Sequence, residues 1–357
     1  MSTADRLDRF QRRHPWAGFP LAVAYKFVDD QGNYLTAMIT YYGFLSLFPL
    51  LLLLVSLLGF VLHGNPGAQE QVLNSALARL PVLGQQLAGN VQSLRGSLVA
   101  VVVGLVGGLY GSLGVVQAAQ NAFNKVWAVP RHARPDPVRA RLRSLLMLLI
   151  IGLGVAVSTV LSGVTAVADS IGGAEVGAGL RLLTAAGALA LNVALFVLAF
   201  RLLTGQRTGT REVLPGAVLA AVCWQLLQSA GTYYLGNSLR GTSATYGLFG
   251  VVLGLLVWLY LSAFTVVLGA ELNAVRVRKL YPRSLMTPFT DDVDLTRGDR
   301  KAYESYAQTE SYKGFERVEV KFDESGRTGG EQDAPDGRPE TSPEGRAGGP
   351  TESRPEG

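Results

Sequence analysis

One carboxylate, a row of amides and a pair of tyrosines are the side chains here whose type and position suit them to chemistry. Glu271 lies in GAELNAVRVRK, the only acidic residue inside any long apolar stretch, with Asn273 two positions further on. A carboxylate in such a stretch is costly and by default marks a site, although the nearby Arg276 and Arg278 equally allow simple ion pairing. Gln117, Gln120, Asn121 and Asn124 stand at i, i+3, i+4 and i+7, which puts four amides on one helical face. Uncharged amides at that depth either bond neighbouring helices together or line a wet cavity. Tyr41 and Tyr42 precede Pro49, a residue that kinks a helix and frees a carbonyl for Ser46, water or a neighbouring helix to satisfy. This inventory suits binding and orienting a polar group.

It does not suit hydrolysis. Cleaving a phosphodiester calls for a metal held by His and carboxylates, or an acid and a base within reach of one phosphate. The histidines are His14, His63 and His132, and they form no HxH or HExxH motif. No P-loop glycine motif occurs, so an energy-coupled pump would need a separate ATPase subunit. Cys223, the single cysteine, excludes an internal disulfide and a cysteine metal cluster and reads as a small packing residue. The expectation is a non-enzyme with no cofactor and no metal.

The elements that must position these residues are written in the charges. Asp, Glu, Lys and Arg are absent from 31–69, 96–124, 144–168, 182–200, 213–239 and 241–270. Each window is at least as long as a standard hydropathy window of about 19 residues. The first holds TAMITYYGFLSLFPLLLLLVSLLGFVL, which as a helix is about 40 Å long, enough for a hydrocarbon core of about 30 Å. Backbone groups in lipid must pair internally, so these segments are helices, placed near 38–62, 97–121, 144–168, 181–203, 214–236 and 247–273. The fold class expected is an all-α polytopic membrane protein: six transmembrane helices with short interfacial amphipathic helices and a disordered C-terminal tail.

Orientation follows from the basic residues. Eighteen Lys and Arg fall on one side of the spans, in 6–26, 125–143, 201–211 and 276–283, against Arg79, Arg95, Arg181 and Arg240 on the other. That alternation places both termini in the cytoplasm of a multi-pass inner-membrane protein. Tyr41, Tyr42, Gln117, Gln120, Asn121, Asn124, Glu271 and Asn273 then all lie in the cytoplasmic half. Net charge +5 hides a split, since residues 290–357 carry 10 basic and 17 acidic side chains. Basic loops beside spans attract anionic lipid, so membrane lipids are the expected partners and nucleic acid is not.

Three regions follow. Residues 1–35 form a cytoplasmic segment without a cleavable signal peptide, in which PWAGFPLAVAYKFVDD reads as an interfacial helix or a partly ordered linker. Residues 36–280 form the membrane domain, with QEQVLNSALARL and VLGQQLAGNVQSL expected as amphipathic helices on the outer surface. Within it, Gly104, Gly107, Gly108, Gly111 and Gly114 mark a helix that neighbours approach closely. Residues 281–357 form a cytoplasmic, mostly disordered acidic tail.

The stretches AMITYYGFLSLFPLLLLL, LYGSLGVVQAAQNAFNKVW, VLPGAVLAAVCWQLLQ and SATYGLFGVVLGLLVWLYLSAFTVVLGAELNAV, taken in order, resemble the YihY/virulence factor BrkB family over roughly residues 20–285. The resemblance implies a six-span inner-membrane protein with cytoplasmic termini. It implies no settled activity: members carry an older ribonuclease label or are associated with envelope integrity, serum resistance or lipid export. Two classes are left open, a transporter or flippase for a lipid or other amphiphile, and a non-transporting scaffold that gathers envelope partner proteins. The missing mid-membrane carboxylates argue against an acidic proton relay.

Overall fold

The computed structural model describes residues 3–61, 98–171, 174–238, 244–287, 290 and 293–322. Helices α1 (Thr3–Arg13) and α2 (Pro15–Asp29) lead into six long helices: α3 (Gly32–Val61), α4 (Leu98–Val126), α5 (Pro137–Ile171), α6 (Ala174–Leu203), α7 (Thr210–Ser238) and α8 (Ala244–Arg278). A last helix, α9 (Arg297–Thr309), follows. Among the described residues four stretches meet the length and hydropathy needed to cross a membrane, Val101–Val126, Ala185–Leu203, Thr210–Gly231 and Val252–Arg278. Only 22–28% of their residues are buried within the protein, which leaves apolar side chains such as Val106, Leu226 and Val257 facing outward. An apolar exterior of that kind belongs in lipid.

The long helices pack in chain order, and α8 closes the arrangement by lying against α3, α4 and α2 as well as α7. Helix α4 meets α3 through its glycines. A Cβ on Gly104 would stand 2.7 Å from the Leu53 nitrogen, one on Gly111 2.6 Å from Ser46 Cβ, and one on Gly114 2.4 Å from the Tyr42 ring. Small residues at those steps let the two backbones approach, as the glycine spacing predicts. Pro49 sits against Gly107, and α3 runs through it as one helix. The carbonyl freed by Pro49 is that of Leu45, yet the Ser46 hydroxyl donates to the Gly43 carbonyl at 2.8 Å; Ser46 does not satisfy the kink.

Helices α7 and α8 cross on glycine too. A Cβ on Gly216 would stand 2.0 Å from the Gly269 carbonyl oxygen, whereas one on Gly152, out on α5, meets nothing within 4 Å. Gly216→Ala is therefore expected to destabilise the purified protein by about 1–3 kcal/mol through overpacking. Gly152→Ala is expected to be neutral or to stabilise by about 0.5–1 kcal/mol, since only helix propensity changes. Melting temperatures in one detergent decide it, and equal effects at the two sites would refute the crossing.

The stretch expected as tail from 281 does not begin in disorder. Leu280–Leu285 folds back over α1 and α2, and α9 starts at a capping box in which Thr296 and Asp299 bond each other's backbone N–H. The outer-surface helices expected within 64–95, and the chain beyond 322, lie outside the described residues.

Candidate functional site

Two helix ends organise the polar side chains. Helix α4 stops at Val126 because Ala128 takes a left-handed conformation, φ 44°, and the chain closes a Schellman turn, with Val129 N donating to Asn124 O and Ala128 N to Lys125 O. The last carbonyls of α4 then point at incoming cations. Lys26 of α2 donates to the Val126 carbonyl at 3.0 Å, and Arg278 of α8 donates to that of Trp127. Positive charge at a helix C-terminus is favourable on dipole grounds as well.

Lys26 is the centre of a buried charge cluster. It is 0% exposed, pairs one turn on with Asp30 (2% exposed), and lies 3.5 Å from Glu271 Oε2, itself 0% exposed. Asp30 reaches inward because the chain turns sharply at Gln31, φ 58°, between α2 and α3. Two carboxylates face one ammonium. Burial raises the pKa of Asp30 against the opposing pull of Lys26. Glu271 has only that single ion pair: both its oxygens are buried without a hydrogen-bond partner among the described residues. A buried, under-bonded carboxylate is rare and calls for an explanation.

Asn273, two residues beyond Glu271, points the other way round α8. Its Oδ1 accepts from Gly216 N at 2.8 Å and its Nδ2 donates to the Val213 carbonyl at 3.0 Å. Both partners flank Pro215, which has no N–H to give, and Arg276 takes up the carbonyl that proline orphans, that of Arg211, at 3.3 Å. Asn273 thus holds α7 to α8.

The four amides divide. Gln120 is buried and donates to the Ala140 carbonyl and to Ser144 Oγ on α5, each at 3.2 Å. Asn124 is buried and accepts from Gly205 N, after α6, at 2.9 Å. Those two bond neighbouring segments together. Gln117 is half-buried and Asn121 exposed. Tyr42 packs on Gly114, while Tyr41 is 62% exposed and leaves the bundle, touching Tyr42 ring edge to face at 5.4 Å. The residues that gather with Glu271 are Lys26 and Asp30, whose i, i+4 spacing in an otherwise apolar stretch was the available signal. Among the described residues no three His, Cys, Asp or Glu side chains are placed to hold a metal ion.

The family model for virulence factor BrkB matches residues 23–290. The ribonuclease-like protein YfkH of Bacillus subtilis (strain 168) is 25% identical over 268 residues, 70% of this chain and 92% of that protein. The inner membrane protein YhjD of Escherichia coli (strain K12) is 27% identical over 280 residues, 73% of this chain and 80% of YhjD. A UPF0761 membrane protein of Pseudomonas aeruginosa (strain LESB58) is 26% identical over 262 residues; the alignment covers 71% of this chain but only 61% of that protein. No solved structure matches the chain.

Proposed function

The chain belongs to the virulence factor BrkB family of membrane proteins, and from that premise we propose that it moves a lipid or other amphiphilic envelope component across the cytoplasmic membrane. On this reading α3 to α8 are six spans, both termini are cytoplasmic, and the protein is not an enzyme. The observation that carries the proposal is Glu271, sealed behind Lys26 at 3.5 Å with no hydrogen-bond partner among the described residues. Desolvating charges offsets most of what their attraction gains, so a cluster held this thinly costs little to open to water. It joins α2, α4 and α8 at one end of the bundle, where opening would expose a polar groove beside Gln117 and Asn121 to a head group while acyl chains stay in lipid. A translocator needs such a pair of closed and open states, separated by a few kcal/mol.

The test is movement of labelled phospholipid in liposomes holding the purified full chain. Wild type is expected to equilibrate the label between leaflets. Glu271→Gln, which keeps shape and removes charge, is expected to change the rate by about tenfold, a shift of ~1.4 kcal/mol in the opening equilibrium, while elution profile and helicity hold. A well-folded wild type that moves no labelled lipid would sink the reading and favour the scaffold, sending the search to co-purifying envelope proteins.

A further inference from the structure

A second polar site lies away from the charge cluster, where α6 ends. A cavity of about 530 Å³ opens between the first turns of α5, the last turns of α6 and the connection to α7. That volume lies within the usual range for small-ligand pockets, roughly 300–1,000 Å³. Arg143, Arg201 and Arg207 line it together with Thr208, and no acidic side chain does. Its other wall is apolar, made by Leu198 and Leu202 of the stretch Ala185–Leu203 that is long and apolar enough to cross a membrane.

Among the described residues neither the charges nor the hydroxyl is fully partnered. Arg201 donates to Thr210 Oγ1 at 3.2 Å, and among the described residues none of the three arginines is paired with a carboxylate. Like charges gathered on one cavity repel unless an anion sits among them. Thr208 is only 8% exposed, and its Oγ1 is buried with no hydrogen-bond partner among the described residues. An orphaned buried hydroxyl costs about 1–3 kcal/mol, which a ligand oxygen in the cavity would recover once the Thr208 side chain turns toward it. Guanidinium forks match the oxygens of a phosphate, and a hydroxyl donor completes the set.

We propose that this cavity binds a phosphate-bearing anion, with Arg143, Arg201 and Arg207 as its cationic wall and Thr208 as a hydroxyl donor. The chemistry is shared by the head group of an anionic phospholipid and by a soluble phosphomonoester. The apolar wall favours the lipid, because Leu198, 42% exposed, continues from the cavity onto the face of α6 where an acyl chain would lie. This deepens the translocation reading by naming a head-group class, and rests on that reading only in taking the bound lipid as cargo.

The experiment is equilibrium binding to the full chain, purified in a neutral detergent, with phosphatidylglycerol, phosphatidylcholine and glycerol 3-phosphate as probes. Phosphatidylglycerol is expected to bind at least about tenfold tighter than phosphatidylcholine, and Arg143→Gln/Arg207→Gln is expected to abolish that preference. Thr208→Val is expected to weaken phosphatidylglycerol severalfold while leaving the melting temperature without lipid unchanged or higher, since a methyl replaces an unsatisfied hydroxyl. Equal binding of the two lipids by wild type, or a preference untouched by the double variant, would overturn the site. Glycerol 3-phosphate binding as tight as phosphatidylglycerol would uphold the phosphate site and discard the lipid as its ligand. Tight, arginine-dependent binding in a chain that moves no lipid would separate the two ideas, upholding the site and ending translocation.

Discussion

Arg283→Met is expected to release α9 from the rest of the protein and cost about 3–5 kcal/mol, the penalty for removing one partner from a buried ion pair. Arg283 is 1% exposed although it lies in a loop. Its Nε donates to Asp299 Oδ1 at 2.8 Å and its Nη1 to Asp29 Oδ2 at 2.6 Å, so one guanidinium joins the end of α2 to the start of α9. Burial on its own would lower its pKa; the hydrogen bond it donates to Asp299 and the charge of Asp29 outweigh that and raise it. Asp299, 0% exposed, also accepts from Ser284 N at 3.0 Å and from Thr296 N at 2.9 Å. Without the arginine its charge is stranded at the N-terminus of α9. Arg283→Lys should restore little, because an ammonium cannot span both carboxylates as the fork does. Asp299→Asn added to Arg283→Met should recover part of the loss, since the amide oxygen still caps α9 and the buried charge is gone. Melting in detergent, with limited proteolysis between 284 and 296, reads both effects. A single variant that melts like wild type and stays resistant would show that α9 is held by something else.

That contact also marks where sequence reasoning ran out. Charge-free windows place the long helices well: the segment expected near 181–203 lies within α6, Ala174–Leu203, and the one expected near 97–121 falls on α4, Leu98–Val126, in all but its first residue. The helices overrun their windows because backbone hydrogen bonding does not stop where hydrocarbon does. Composition failed around 281–322, where a stretch rich in Asp, Glu, Arg and Lys looks solvated until Asp29, 254 residues from Arg283 along the chain, is known to face it. Lys26 and Asp30 escape composition for the same reason: an interfacial helix is expected to keep water on its polar side, and α8 and α4 occupy that side instead. The amide spacing predicts one helical face, and its Gln120 and Asn124 edge meets α5 and the turn after α6, a rotational detail that spacing alone does not contain. The pocket at Thr208 needed three dimensions, since Arg143 and Arg207 are far apart in sequence.

The largest effect is expected at Lys26. Lys26→Met fills nearly the same space and removes the cation that pairs with both Asp30 and Glu271, leaving two sealed carboxyls and an unmet Val126 carbonyl. Stranding even one buried charge costs about 3–5 kcal/mol, so the variant should be barely stable at neutral pH. Its deficit should also depend on pH in a way that cavity or packing damage would not. Burial already holds the pKa of Asp30 above its ordinary value, and Lys26 works against that rise; without Lys26 the rise is larger. A carboxyl whose pKa is higher folded than unfolded binds its proton more tightly in the folded state. The folded state therefore gains stability as pH falls through the folded pKa, with the gain complete below the unfolded value of about 4. Lys26→Met should accordingly melt closer to wild type near pH 5 than near pH 8, and Lys26→Met/Asp30→Asn should lose part of that slope. A deficit constant across this range would mean that the cluster is held together by packing and that its charges are not what joins α2 to α8.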